Sequence, residues 1–385
     1  METGFPVHEY RARLARVQAG MEQAGLSALL LTTEADVRYL TGYLTRFWES
    51  PTRPWFLVVP LHGEPVAVIP AIGAALMATT WVEDIRTWRA PDYQDDGVGL
   101  LAQTLKEVTP RKGRIGTPCG NGTHLRMPLG DWARLHALCA PRVFEGDAGV
   151  MCAQRMLKSD AEIAKIAEAC RIAGRAFARV EQVADVGVPL AQVFRQFQML
   201  CLDEGADWVP YLAGGAGQGG YADVISPASQ NPLAEGDVLM LDTGLVWDGY
   251  FCDFDRNFAL CAPSPEVHSA HARLVEATVA AFEIARPGRT AAELFAAMDA
   301  VVTGGAGGSD AGRLGHGLGM QLTEPPSLIP SDHAVLEPGM VLTLEPGIDM
   351  GNGRLMVHEE NIVIRDGAPE WLSPPAGPEI AVIGS

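Results

Sequence analysis

The chain has 385 residues, and single hydrophobic cores stop growing near about 250–300 residues, so two or three domains are expected. Apolar residues make up 48% and charged residues 20%, which excludes a disordered chain. With 29 Lys+Arg against 47 Asp+Glu the formal charge is −18, which disfavours nucleic-acid and anionic-membrane partners and favours metal cations.

The opening METGFPVHEY has no basic start followed by an apolar run, so no signal peptide is expected there. VHEYRARLARVQAGMEQAG predicts an amphipathic helix with Leu14, Val17 and Met21 inward and Gly25 as its stop. SALLLT, WFLVVP and EPVAVIP predict buried strands. The uncharged stretch 65–82 is interrupted by two prolines and a glycine, and it reads as a strand ending near Pro70 followed by a small-residue helix, not a membrane span. LLAQTLKEV predicts another helix and KGRIGTP another strand, so this part reads as an α/β domain. Seven scattered cysteines without a CxxC fit buried thiols in a reducing cytoplasm.

The texture changes near Cys152. PRVFEGDAG reads as a loop, and Ser159 with Glu162 has the spacing of a capping box that opens a long helix. Ser264, followed by Pro265, and Thr290, followed by Glu293, mark two more helix starts. DVLMLDTGLV, YFCDFDRNFAL, MVLTLEPGI and HEENIVI predict strands. The expected domains are 1–152 and 153–385.

Chemistry concentrates in the second part. Asp242 ends one apolar run and Asp253 lies on the next strand; His316 stands in a glycine-rich stretch, Glu345 ends MVLTLE, and Glu359 opens the final strand. A single charge at a strand end is ordinarily a solvated end. Five in order on strands that otherwise read as buried point to a site, because clustered buried carboxylates repel unless cations lie among them. A pair of divalent metals supplies that charge.

The ordered set resembles the pita-bread metallopeptidase family of aminopeptidase P, prolidase and methionine aminopeptidase, with creatinase as a non-metal relative. Asp242, Gly244, Gly249, Tyr250 and Asp253 meet the DxG…GYxxD pattern, GHGLG supplies His316, EPG supplies Glu345, and the last acid before the strand is Glu359. RYLTGY (38–43) is similar to the family's N-terminal domain. The resemblance implies an α/β N-terminal domain followed by an α+β pita-bread (creatinase/aminopeptidase-like) catalytic domain. It implies two divalent ions, Mn²⁺ foremost, with Fe²⁺, Co²⁺ or Zn²⁺ as alternatives. Asp253 and Glu359 then bridge the ions, Asp242 holds one, His316 and Glu345 hold the other, and Glu345 also moves the proton. Two ions about 3.5–4 Å apart share a water, lower its pKa and set a hydroxide against a scissile carbonyl.

Two departures concern substrate. Seven residues after His316, where the family usually has histidine, stands Thr323, and 223–237 contains no histidine upstream of Asp242. Thr323 is thus an expected substrate-binding residue with a hydroxyl in place of a cationic donor. Asp255 replaces the usual threonine or serine and is expected to pair with a base such as Arg256. In TRFWESPTRPW (45–55), Arg46, Trp48 and Arg53 are expected, by analogy with family dimers, to close the partner's site. His268 and His271 are expected on an exposed helix face, and His358 on the strand face opposite Glu359. The glycines of AGGAGQGG (213–220) fit close backbone approach, not phosphate binding. The implied function is a homodimeric, cytoplasmic Xaa-Pro dipeptidase or aminopeptidase; the alternative keeps fold and metals but acts on a small non-peptide metabolite as a C–N hydrolase or lyase. The partner is a small peptide or other small molecule, with no nucleic acid and no membrane.

Overall fold

The computed structural model describes residues 4–50, 53–306 and 312–384. Among them no helix is long and apolar enough to cross a membrane. The chain divides into two units, Met1–Arg155 and Met156–Ser385.

In the first unit, α1 (Val7–Ala24) buries Leu14, Val17 and Met21 and ends at Gly25, whose φ of 70° needs no Cβ. β1 (Ala28–Leu31) is followed by α2 (Glu34–Thr41), capped by Thr33. β2 (Phe56–Pro60) and β3 (Val66–Pro70) follow, then a 3₁₀ turn and the short α3 (Ala74–Met77). β4 (Asp84–Trp88), α4 (Val98–Val108), β5 (Arg114–Thr117), α5 (Leu129–Cys139) and β6 (Val143–Gly146) complete it. The six strands form a mixed sheet in the order β4-β3-β2-β1-β5-β6, antiparallel at β1/β2 and β2/β3 and parallel elsewhere. Leu30, Phe56, Val58, Leu101, Leu105 and Ile115 fill the core under α4. The loop expected at PRVFEGDAG contains β6. Both edge strands are half-exposed, so neither shows the continuous apolar run that marks the interior strands.

α6 (Val150–Met156) carries the chain onward. In the second unit, α7 (Asp160–Phe177) starts at the expected Ser159–Glu162 capping box, and α8 (Leu190–Asp203) follows Pro189. α9 (Pro265–Ile284) is capped by Ser264, and α10 (Ala291–Val302) by a Thr290–Glu293 box. β7 (Trp208–Gln218), β8 (Asp237–Trp247), β9 (Tyr250–Phe251) and β10 (Phe254–Leu260) come before α9. After α10 come β11 (His316–Gly317), β12 (Glu324–Ser327), β13 (Val341–Leu344), β14 (Gly347–Gly351), β15 (Arg354–Val357), β16 (Glu360–Val363), β17 (Glu370–Trp371) and β18 (Ala381–Ile383).

One sheet runs β18-β10-β8-β7 with β9 joined to β8, a second runs β12-β11-β13-β16-β17, and β14 and β15 form a hairpin. Helices α9 and α10 bury Leu274, Ala277, Leu294 and Met298 in a core shared with Met240, Leu342 and Ile362 of the sheets. Three expectations change here. YFCDFDRNFAL and MVLTLEPGI are not single strands, because they break at Cys252–Asp253 and at Glu345–Pro346, and the strand after Glu359 is not the last.

The glycine-rich run lies largely in β7, where Ala213 pairs with Asp242 and Gly214 with Leu241. Gly214 has φ 138°, and a Cβ there would lie 2.1 Å from the Met240 carbonyl oxygen. β7 and β8 approach so closely that only glycine fits. Gly214→Ala should therefore cost more than about 1 kcal/mol of stability, read as a lower urea midpoint at unchanged slope.

Candidate metal centre

Strand ends converge on the site. Asp242 lies on β8 opposite Asp255 of β10, and Asp253 occupies the break between β9 and β10. His316 opens β11, which pairs with β13 through Gly317 and Leu342. Leu344 of β13 pairs with Glu360 of β16, so Glu345 and Glu359 occupy the adjoining positions where that ladder stops. The ladders fix the backbone: Asp242 stands inside β8, paired on both sides, and the other four stand at or just beyond a strand end.

One ligand atom each from Asp253, His316 and Glu359 lie within 4.8 Å of one another, and all three residues are buried. His316 Nε2 is 3.4 Å from Asp253 Oδ2. Asp242 and Glu345 belong to the same electrostatic cluster: Asp242 feels Asp253 and Glu345, and Glu345 feels His316 and Asp253. The structure thus brings the ligand atoms of Asp253, His316 and Glu359 together, and the charges of Asp242 and Glu345 act on the same cluster.

Burial raises the Asp242, Asp253 and Glu359 carboxyls well above the ordinary carboxylate range; neighbouring carboxylates add to this, while Arg313 opposes it at Asp253. Glu345 rises to about 7, again chiefly through burial. Burial, assisted by the charge of Arg313, pushes the His316 imidazole down to about 4, so it is neutral. Its Nδ1 lies 2.8 Å from the Gly317 carbonyl, which assigns the proton to Nδ1 and leaves the Nε2 lone pair facing the carboxylates. Among the described residues, Asp242 Oδ1, Asp253 Oδ1 and Glu359 Oε1 are buried with no hydrogen-bond partner. Unpartnered oxygens and an imidazole lone pair pointing together form a donor set for divalent cations with a preference for oxygen ligands.

The other singled-out residues lie outside this donor set, although Asp255 adjoins it and its charge reaches Asp242, Asp253, Glu345 and Glu359. Asp255 pairs with His358, not Arg256: its Oδ1 is 3.2 Å from His358 Nδ1 and accepts the Glu359 N–H at 3.1 Å. Arg256, next in the strand, points to the other face and pairs with Glu360 at 3.1 Å. His358 is buried between Asp255 and Glu360, apart from the five-residue cluster. His268 is exposed beside Glu379, but His271 is buried, contrary to expectation. It shares the inward stripe of Val267, Ala270 and Leu274, and its Nε2 meets the Gly377 carbonyl at 3.1 Å.

Thr323 is exposed, and its hydroxyl accepts a bond from Arg313 Nη2 at 3.3 Å. In the first unit, Arg46 is exposed and pairs with Glu49, while Trp48 is buried 5.8 Å from the Trp55 ring, under the Arg126 guanidinium. Arg53 stacks on Phe47; positions 51–52 of that loop lie outside the described residues. Sequence reasoning misses Arg313, whose charge reaches Asp253, His316 and Glu345. It also misses Tyr211, whose hydroxyl is pushed up by burial and by the charge of Asp242, and Asn361, which accepts the Asp253 N–H. Only Asn361 carries a signal, as a lone amide opening the apolar run NIVI.

The raised carboxyls set a pH dependence. A carboxyl whose pKa is higher folded than unfolded stabilises the fold below its unfolded pKa, and that contribution is lost as pH rises through the folded value. His316 acts in the opposite sense but is outnumbered by four carboxyls. With divalent cations chelated, the urea midpoint should fall as pH rises from the ordinary carboxylate range through about 7, and added divalent cation should flatten that slope.

Comparison with known proteins agrees with this arrangement. Residues 164–366 match metallopeptidase family M24, and residues 13–126 match the creatinase/prolidase N-terminal domain. A probable dipeptidase PepE of Mycobacterium tuberculosis is 31% identical over 371 residues, covering 94% of each chain. An Xaa-Pro dipeptidase of Lactobacillus delbrueckii subsp. lactis is 25% identical over 359 residues, covering 92% of this chain and 95% of that one. The crystal structure of dipeptidase PepE from Mycobacterium ulcerans superposes with a TM-score of 0.83 at 29% identity, covering 99% of this chain and all of the other. With its family match over more than half its length and both domain types in order, the chain belongs to metallopeptidase family M24.

Proposed function

We propose that this peptidase hydrolyses Xaa-Pro dipeptides with two divalent ions, Mn²⁺ foremost, held by Asp242, Asp253, His316, Glu345 and Glu359. The observation that carries the reading is the convergence of buried, unpartnered carboxylate oxygens with a neutral imidazole. When bound, the ions offset the carboxylate charge, polarise the scissile carbonyl and acidify the attacking water. The oxygen-rich donor set favours Mn²⁺ over softer ions.

The protein's own groups do the rest. Asp253 and Glu359, whose ligand atoms lie within 4.8 Å of each other and of His316, would share the ions, with Asp242, His316 and Glu345 completing the donor set. Glu345 accepts the proton of the water and returns it to the leaving nitrogen. Thr323 contributes a hydroxyl toward the substrate; its neighbour Glu324 is buried against Lys158 Nζ at 3.1 Å, which pins the segment that carries it. Residues 1–152 shape substrate access and 153–385 carry the chemistry, in a cytoplasmic homodimer where the exposed Arg46 helps to close the partner's site and the buried Trp48 supports the loop that carries it. The named dipeptidases among the relatives favour peptides over a small non-peptide metabolite.

The test is a substrate screen with Mn²⁺ added. Xaa-Pro dipeptides such as Ala-Pro should be cleaved, and no turnover on any of them would refute the substrate assignment. Asp253→Ala and Glu359→Ala should abolish turnover, Glu345→Gln should lower kcat by about 10²–10⁴-fold, and His268→Ala should leave the rate unchanged.

A further inference from the structure

The segments DFDR (253–256) and HEEN (358–361) hold each other. Asn361 Oδ1 accepts the Asp253 N–H at 3.0 Å, and its Nδ2 donates to the Asp253 carbonyl. In return, Asp255 Oδ1 accepts the Glu359 N–H at 3.1 Å, and Arg256 Nη1 donates to the Glu359 carbonyl at 3.3 Å. Each segment's side chains therefore bind both main-chain polar groups of a residue in the other. Those two residues are Asp253 and Glu359, whose carboxylates stand at the middle of the cluster.

Ladder bonds do not supply this control. Asp253 lies in the break before β10 and Glu359 just ahead of β16, so neither belongs to a paired strand position. Their buried peptides need partners, and side chains provide them. The clamping groups are themselves held. Asn361 donates its N–H to Ser373 Oγ at 2.9 Å and its carbonyl accepts from Leu372 at 2.8 Å, while Asp255 bonds to His358 and Arg256 to Glu360.

We propose that this reciprocal clamp fixes the separation of the Asp253 and Glu359 carboxylates, making Asp255 and Asn361 positioning residues for the metal pair. The inference rests on the two-metal reading above. It assigns Asp255 to hydrogen bonding, not ligation, although Asp255 Oδ2 is a buried oxygen without a hydrogen-bond partner among the described residues. Because each half of the clamp holds the main chain of the other's carboxylate-bearing residue, loosening either half disturbs the same pair of ligands.

Two readouts test this on the full-length protein. The first is Mn²⁺ titration calorimetry after chelator treatment, with circular dichroism to verify folding. Asp255→Ala and Asn361→Ala should each weaken Mn²⁺ binding by about 10–100-fold. Asp255→Asn keeps an acceptor for the Glu359 N–H and should stay within about threefold of wild type. Unchanged affinity in both alanine variants, or equal losses for Asp255→Asn and Asp255→Ala, would overturn the clamp; the latter result makes Asp255 a ligand. Should an alanine variant not fold, Asp255→Ser and Asn361→Asp carry the same comparison. The second readout needs no metal: amide hydrogen exchange in chelator should accelerate about tenfold or more at Glu359 in Asp255→Ala and at Asp253 in Asn361→Ala. Wild type that binds no Mn²⁺ refutes the two-metal reading alone, and unchanged exchange at both amides then refutes the clamp.

Discussion

Everything in the second unit answers to one electrostatic constraint: four carboxylates and a neutral imidazole are buried together with too little protein cation to balance them. Arg313 is the nearby positive charge that the site feels, and it does not bring the carboxyls down to their ordinary range. Stacking like charges away from water is unfavourable by several kcal/mol per group unless they are neutralised. A fold that holds such a set in place either keeps protons on it or admits cations. The unpartnered oxygens and the outward Nε2 lone pair of His316 mark the second solution.

The architecture meets that constraint by spending ladder ends on chemistry. Asp242 comes from β8, whose residues are buried on both faces, and the other four ligands sit at the first position of a strand or just outside one. Continuous apolar strands hold the frame, while Asp253, Glu345 and Glu359 stand one position beyond a strand and His316 opens one. Close approach of β7 to β8, permitted by Gly214, seats Ala213 opposite Asp242. The mutual bonding of 253–256 and 358–361 then restores order where the ladders stop.

Much of this was legible in the sequence for identifiable reasons. Helix starts at Ser159, Ser264 and Thr290 carry local signatures that do not depend on distant contacts. Four ligand candidates stand out as acids at or near apolar runs, and His316 as a histidine in a glycine-rich stretch. Edge strands β4 and β6 carry no such contrast, since half-exposed strands mix polar and apolar residues. α8 begins after a proline without a polar cap, so its start has no local mark. The burial of His271 and the choice of His358 over Arg256 as partner of Asp255 are set by long-range packing, which spacing along the chain does not encode.

The most direct test of the central claim is anomalous diffraction from crystals grown with Mn²⁺. Two anomalous peaks about 3.5–4 Å apart, enclosed by Asp242, Asp253, His316, Glu345 and Glu359, are the predicted result. Absence of anomalous density among these five side chains at full Mn²⁺ supply, or ions bound only outside them, would contradict the account.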